Sequence, residues 1–266
     1  MASPSSLRNV LIDETNYLAA LNDGIFEWNA TLHQHKSTLV DAQTPTKPYV
    51  FTIVIKVDNL HSNLLPDGGY TKPSGITPSL SDARITVAGS RPSIEVIEPF
   101  KSDFNYALSH LDAILDKKQN PGIGWKASGL TFNNCGDFYG INRKPLTPST
   151  ADHVQSNNLE NQPYDVYYDK YKVWSTAGWP INNARALQER EDMVKTRSHE
   201  VCPLPLKTFL SSPDDYKTVL AGRHVIAKFS ILHASDTVWK EDFFDGVIDS
   251  LDPIEPTPDD IWDHYI

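Results

Sequence analysis

The chain has 266 residues with 24 basic and 34 acidic side chains, a net charge of −10, and 19 prolines against 13 glycines. That length suits one large domain with elaborations, and prolines scattered through the chain exclude a simple helix bundle. Two cysteines, Cys135 and Cys202, are too few for a disulfide framework or a Cys-only zinc site, and no run of about 18 apolar residues exists to span a membrane.

The charge is uneven. Residues 236 to 266 hold ten acids against the single base Lys240, so the preceding 235 residues are close to neutral, with 23 bases and 24 acids. The expected organisation is a single α+β domain over 1–235 and an acidic arm over 236–266. The first eight residues lack the apolar core of a secretory signal, so the expected location is intracellular, cytoplasm or nucleus.

In chain order, Leu7, Val10, Leu11, Tyr17, Leu18 and Leu21 repeat at helical spacing, predicting an amphipathic helix over about 6–22. Tyr49 to Val57 alternates, with Phe51, Ile53, Ile55 and Val57 on one face, and predicts a strand. A long Pro/Gly/Ser-rich loop follows over 65–82, then short strands at 84–88 and 94–97. Ser102 or Asp103 can cap a helix whose stripe is Phe104, Leu108, Leu111, Ile114 and Leu115. Residues 123–142 read as short strands and tight turns, and 182–197 as a charged helix with a thin stripe through Leu187 and Val194. Gly222 to His233 is apolar on both faces for much of its length, predicting a central strand, the last one expected. The resulting fold class is α+β: a twisted, mostly antiparallel sheet or small barrel of five to seven strands with about three helices and long Pro-rich loops.

Chemistry is suggested first by Tyr164 to Trp174. As one strand it would place Tyr168, Lys170, Lys172 and Trp174 on a single face, aromatic and basic together. Single-stranded nucleic acid is held by such faces, bases stacking on rings while lysines neutralise phosphates. Tyr and Trp are also ordinary strand formers, so a plain solvated strand is the competing reading. Arg223 and Lys228 on the last expected strand are candidate helpers.

The acidic arm closes on Asp259, Asp260, Ile261, Trp262, Asp263, His264 and Tyr265. A polyanion with aromatic residues can occupy a cationic groove or offer a short motif to protein partners. The arrangement resembles single-stranded-DNA-binding proteins built on oligonucleotide-binding barrels with an acidic, aromatic-tipped tail, although here His264 and Ile266 depart from the usual terminal Phe. The pattern Tyr216, Leu220, Gly222, Val225, Lys228, Phe229 is similar to a strand entry in some phage proteins of that kind. Separately, Lys195 to Pro205 with Leu220 to His233 looks like proteins of mushroom-forming fungi, a resemblance that implies no activity.

Enzyme motifs do not assemble. His199-Glu200 lacks the second histidine of H-E-x-x-H, and no G-x-S-x-G elbow or G-x-x-x-x-G-K-[ST] loop occurs. His199 with Cys202 reads as structural, and Glu241, Asp242 and Asp245 as solvated carboxylates. No catalytic residue, metal or cofactor is assigned. The expected function is non-enzymatic binding of single-stranded DNA or RNA, with the tail autoinhibitory or recruiting partners. A self-assembling coat, filament or scaffold subunit is the alternative, a homo-oligomer is expected, and an enzyme whose site is built from separated residues is the third reading.

Overall fold

The computed structural model describes residues 4–21, 24–30, 36–70, 79–92, 100–130, 139–144, 146–148, 167–168, 173–174, 178–181, 183–196, 199–201, 204, 206 and 213–254. Its centre is an eight-stranded sheet in the order β1 (Phe26–Ala30), β2 (Lys36–Asp41), β11 (His224–Asp236), β3 (Phe51–Val57), β4 (Ile85–Ser90), β6 (Tyr139–Arg143), β12 (Glu241–Pro253), β5 (Lys126–Gly129). Two small two-stranded sheets lie apart from it: β7 (Leu146–Pro148) with β10 (His199–Val201), and β8 (Tyr167–Tyr168) with β9 (Val173–Trp174). The four helices of the described residues are α1 (Pro4–Asp13), α2 (Phe100–Asp116), α3 (Ala184–Thr196) and α4 (Tyr216–Leu220).

The α+β class and the mostly antiparallel sheet stand. The pairing is antiparallel except where β12 runs parallel to β5 and β6. β11 also pairs along its length with β12, from Val225↔Pro253 to Asp236↔Glu241, so the sheet curls back on itself. It is nevertheless not a closed barrel along its length, because the β3–β4 and β6–β12 seams are each held by two residue pairs.

The alternation of β3 explains its central place. Phe51, Ile53, Ile55 and Val57 face the main core with Val225, Ala227, Phe229 and Ile231 of β11, while Val54 is buried on the other face beneath Leu11, Tyr17 and Phe100. α2 brings Phe104, Ala107, Leu111, Ile114 and Leu115 to the main core. Burying a side chain of this size stabilises by about 1.5–3 kcal/mol, so these two strands and one helix carry much of the fold.

Several expectations are corrected. The first helix ends at Asp13 rather than near 22. Asn16 donates its side-chain N–H to the Val50 carbonyl, its own carbonyl accepts from the Thr52 amide, and Tyr17 is drawn into a bridge beside β3. Backbone pairing there wins over helical spacing. Asp103 does not cap α2. It lies inside the helix, 3% exposed, and receives Arg8 through two hydrogen bonds of 2.7 and 2.8 Å and the Tyr17 hydroxyl at 3.0 Å. The buried stripe of α3 runs through Ala186 and Met193, one residue back from Leu187 and Val194, because α3 packs on Tyr70, Leu80, Ala83 and Trp179. The strand expected at 94–97 lies outside the described residues.

The largest correction concerns the acidic arm. Residues 236–266 were expected to stand outside the domain, yet Glu241–Pro253 is a thirteen-residue strand paired with β11. Phe244, Ile248 and Leu251 belong to the main core, while Glu241, Phe243, Asp245 and Asp249 are more exposed. Summing the acids hid an alternation, since a strand with one buried face accommodates carboxylates on the other. Only 255–266 of the arm lies outside the described residues.

Candidate functional site

The β11–β12 hairpin turns through Thr237, Val238, Trp239 and Lys240. Asp236 accepts the Val238 and Trp239 amides at 2.8 and 3.0 Å, and Lys240 closes the turn at φ +52. This local hydrogen bonding fixes a loop whose apolar side chains point to water: Val238 is 82% and Trp239 77% exposed.

The loop leading from α2 into β5 is tied to the same end of the sheet. The Lys126 amide donates to the Lys240 carbonyl at 2.9 Å, and β5 pairs Lys126 with Glu241. Lys126 and Lys240 are exposed, and Ile123, 97% exposed, lies on that loop. Lys118 reaches back over the Trp28 ring at 5.7 Å from its centroid, a cation–π contact. Exposed apolar and aromatic groups therefore share one end of the sheet with lysines. The neighbouring acids are partly engaged: Asp236 caps the turn and Asp242 is buried.

Beneath this end lies a polar network that pattern reading missed. His233 Nε2 is 2.9 Å from Asp242 Oδ1, its Nδ1 is 3.2 Å from Ser37 Oγ, and all three residues are at most 5% exposed. Ser235 donates to Asp242 at 2.7 Å, and Asn120 gives it a backbone N–H and a side-chain N–H, both at 2.9 Å. Burial pushes the Asp242 carboxyl up, but the donors from Asn120, His233 and Ser235 outweigh it and hold the group below its ordinary value. Phe244 and Trp28 pack on the imidazole with centroids at 4.8 and 5.9 Å. A serine used as a nucleophile must meet its substrate, and Ser37 is enclosed. The network's evident work is to join β2, β11, β12 and the loop after α2.

The sequence-expected residues are not brought together as proposed. The run Tyr164 to Trp174 is not one strand: β8 and β9 pair antiparallel, Tyr167 opposite Trp174 and Tyr168 opposite Val173. Directly opposed positions share a face, so the positions of Tyr168 and Trp174 fall on opposite faces of the ladder. Antiparallel pairing of β8 with β9 does not keep one alternation from Tyr168 to Trp174. Lys170 and Lys172 lie outside the described residues, as do Asp259, Asp260, Ile261, Trp262 and Tyr265. Arg223 sits just before β11, at the end remote from the Trp239 turn, where its carbonyl accepts the Val57 amide. Lys228 lies midway along β11 and pairs with Glu14 at 3.4 Å.

The residues missed were Ile123, Lys126, Val238, Trp239 and Lys240. A Val-Trp-Lys turn between two alternating segments was the available signal, obscured by assigning 236 onward to an arm. Among the described residues no cluster of three or more His, Cys, Asp or Glu side chains is placed to hold a metal, and no helix is long and apolar enough to cross a membrane. No protein-family model, curated protein or solved structure matches this chain.

Proposed function

We propose that the protein binds single-stranded nucleic acid without catalysing a reaction, using the end of the sheet that carries Trp239. The observation that carries this reading is an indole 77% exposed on a hydrogen-bonded turn, next to Lys240 and on the same sheet end as Lys126. Exposed rings accept any base by stacking, at about 1–3 kcal/mol per base, and lysines supply the phosphate contacts.

The strand connectivity supports the same reading. Taken in chain order, β3, β4, β6, β11 and β12 pair as first with second, second with third, third with fifth in parallel, and fourth with both fifth and first. That pattern is similar to a partly open oligonucleotide-binding barrel, in which the loop between the fourth and fifth strands contacts the ligand. Here that loop is Thr237 to Lys240. The loop between the first and second strands is clamped by α3, where Glu189 accepts the Tyr70 hydroxyl at 2.6 Å and the Leu80 amide at 2.8 Å. Connectivity alone does not specify a ligand; the exposed Trp239 turn supplies the stacking surface. Tyr168 on one face of the β8–β9 ladder, or Trp174 on the other, with Lys170 and Lys172, is a second contact further along the nucleic acid. DNA and RNA fit it equally.

A fluorescent thymidine oligonucleotide titrated with the full chain tests the reading by anisotropy. Binding is expected to weaken steeply between about 50 and 200 mM salt and to fall by about tenfold or more in Trp239→Ala, the loss of one stacked base. No binding at low salt, by the full chain or by a chain ending at Ile254, would remove the proposal.

A further inference from the structure

The exposed surface at the hairpin end pairs chemically with another part of the same sequence. Ile123, Val238 and Trp239 offer apolar area at 97, 82 and 77% exposure, flanked by exposed Lys126 and Lys240. Residues 255–266 carry Glu255, Asp259, Asp260 and Asp263 with no lysine or arginine, interleaved with Ile261, Trp262 and Tyr265. Each side supplies the charge that the other lacks, and both carry apolar groups that can pack together.

The sheet decides which copy can supply Trp262. The chain leaves β12 at Ile254, whose amide donates to the His224 carbonyl at the start of β11, whereas the Trp239 turn lies beyond the far end of that strand. From Val225 to Asp236 is eleven steps, about 36 Å at 3.3 Å per residue. Trp262 lies eight residues after Ile254 and reaches at most about 29 Å even fully extended, and a path over the surface is longer than the strand itself. The backbone of Trp262 therefore falls short of its own turn, whereas the turn of a second copy carries no such limit.

We infer that the hairpin end of one molecule docks the acidic segment 255–266 of a second copy. Lys126 and Lys240 face the carboxylates, and Trp262 with Ile261 packs on Trp239 and Val238. Occupied in this way, the turn is closed to nucleic acid, so self-association and nucleic-acid binding compete. The inference rests on the same surface as the proposed function but not on that function being right.

A labelled peptide with the sequence of residues 255–266, titrated with the full chain in the absence of nucleic acid, provides the test. Binding is expected at low salt and is expected to fall about tenfold or more in Trp239→Ala and in the double variant Lys126→Glu, Lys240→Glu, as for removal of a central interface anchor. Light scattering should show the full chain gaining mass with concentration while a chain ending at Ile254 stays monomeric. Peptide binding that Trp239→Ala leaves unchanged, no binding at low salt, or a full chain that remains monomeric at high concentration would each overturn the inference. Oligonucleotide binding in any of these three cases would leave the proposed function standing.

Discussion

His233 and Asp242 stand diagonally across the two longest strands, β11 and β12, His233 opposite Phe244 and Asp242 opposite Ser235, and meet through Nε2 and Oδ1 at 2.9 Å with exposures of 5 and 1%. This contact locks the sheet directly behind the turn that presents Trp239. Asp242 receives three further hydrogen bonds from Asn120 and Ser235, so the loop carrying Ile123 and the hairpin are held by one carboxylate.

The first prediction concerns pH. Asp242 is held below its ordinary value by its donors, so the folded chain binds this proton more weakly than the unfolded chain does. Its contribution is present above the unfolded value, about 3.9, and is lost as pH falls through the folded value. Asp242→Asn should destabilise by about 2 kcal/mol at neutral pH and flatten the acid limb of a plot of Tm against pH. An acid limb as steep in Asp242→Asn as in the unaltered chain would assign the dependence to other carboxylates.

Lys240 sits at φ +52, a backbone conformation that costs a side-chain-bearing residue about 1 kcal/mol and glycine almost nothing. Lys240→Gly should therefore raise stability in urea by up to about 1 kcal/mol. The same variant removes one exposed cation and should lower the salt slope of oligonucleotide binding by about 0.7, as expected for a single-strand phosphate contact. Stability and affinity move in opposite directions, which a folding defect cannot mimic.

Gly68 is required by space as well as by conformation. Its φ is +59, and a Cβ there would lie 2.6 Å from the Arg84 amide nitrogen and 2.9 Å from its carbonyl carbon and oxygen. Backbone cannot swing aside as a flexible side chain can. Gly68→Ala should cost more than about 2 kcal/mol in chemical denaturation. Gly24, at φ +93 with nothing within 4 Å of a Cβ, is the control and should cost less.

Asp103 is the buried carboxylate that joins α1 to α2, receiving Arg8 and Tyr17. Burial, together with the neighbouring carboxylate, raises the Tyr17 phenol above its ordinary value, so it donates at any physiological pH. Arg8→Ala should destabilise by about 2 kcal/mol and Tyr17→Phe by about 1 kcal/mol. Because both act on one carboxylate, the double variant should depart from the sum of the two, which a double-mutant cycle in urea measures.

Much of the framework is legible without coordinates. The two-residue alternation through Phe51 to Val57 and Val225 to Ile231 identifies strands buried on at least one face, and Phe104, Leu111, Ile114 and Leu115 fall on one helical stripe; local periodicity decides these because side-chain direction follows backbone geometry. The composition also correctly argued for α+β over a bundle.

The site was not legible in the same way. Tyr168 and Trp174 fall on opposite faces because β8 and β9 pair antiparallel, a pairing that side-chain alternation alone does not reveal. Asp103 and Asp242 look like surface carboxylates in sequence, and only partners 95 and 122 residues away, Arg8 and Asn120, make them interior groups. The charge count correctly located an excess of acids after Asp236, but whether those acids form an arm or the outer face of a strand depends on β11 lying alongside to bury Phe244 and Ile248. Local pattern determined which segments can be strands and helices; long-range pairing decided which face meets water, and therefore that Trp239 stands exposed at the end of a sheet.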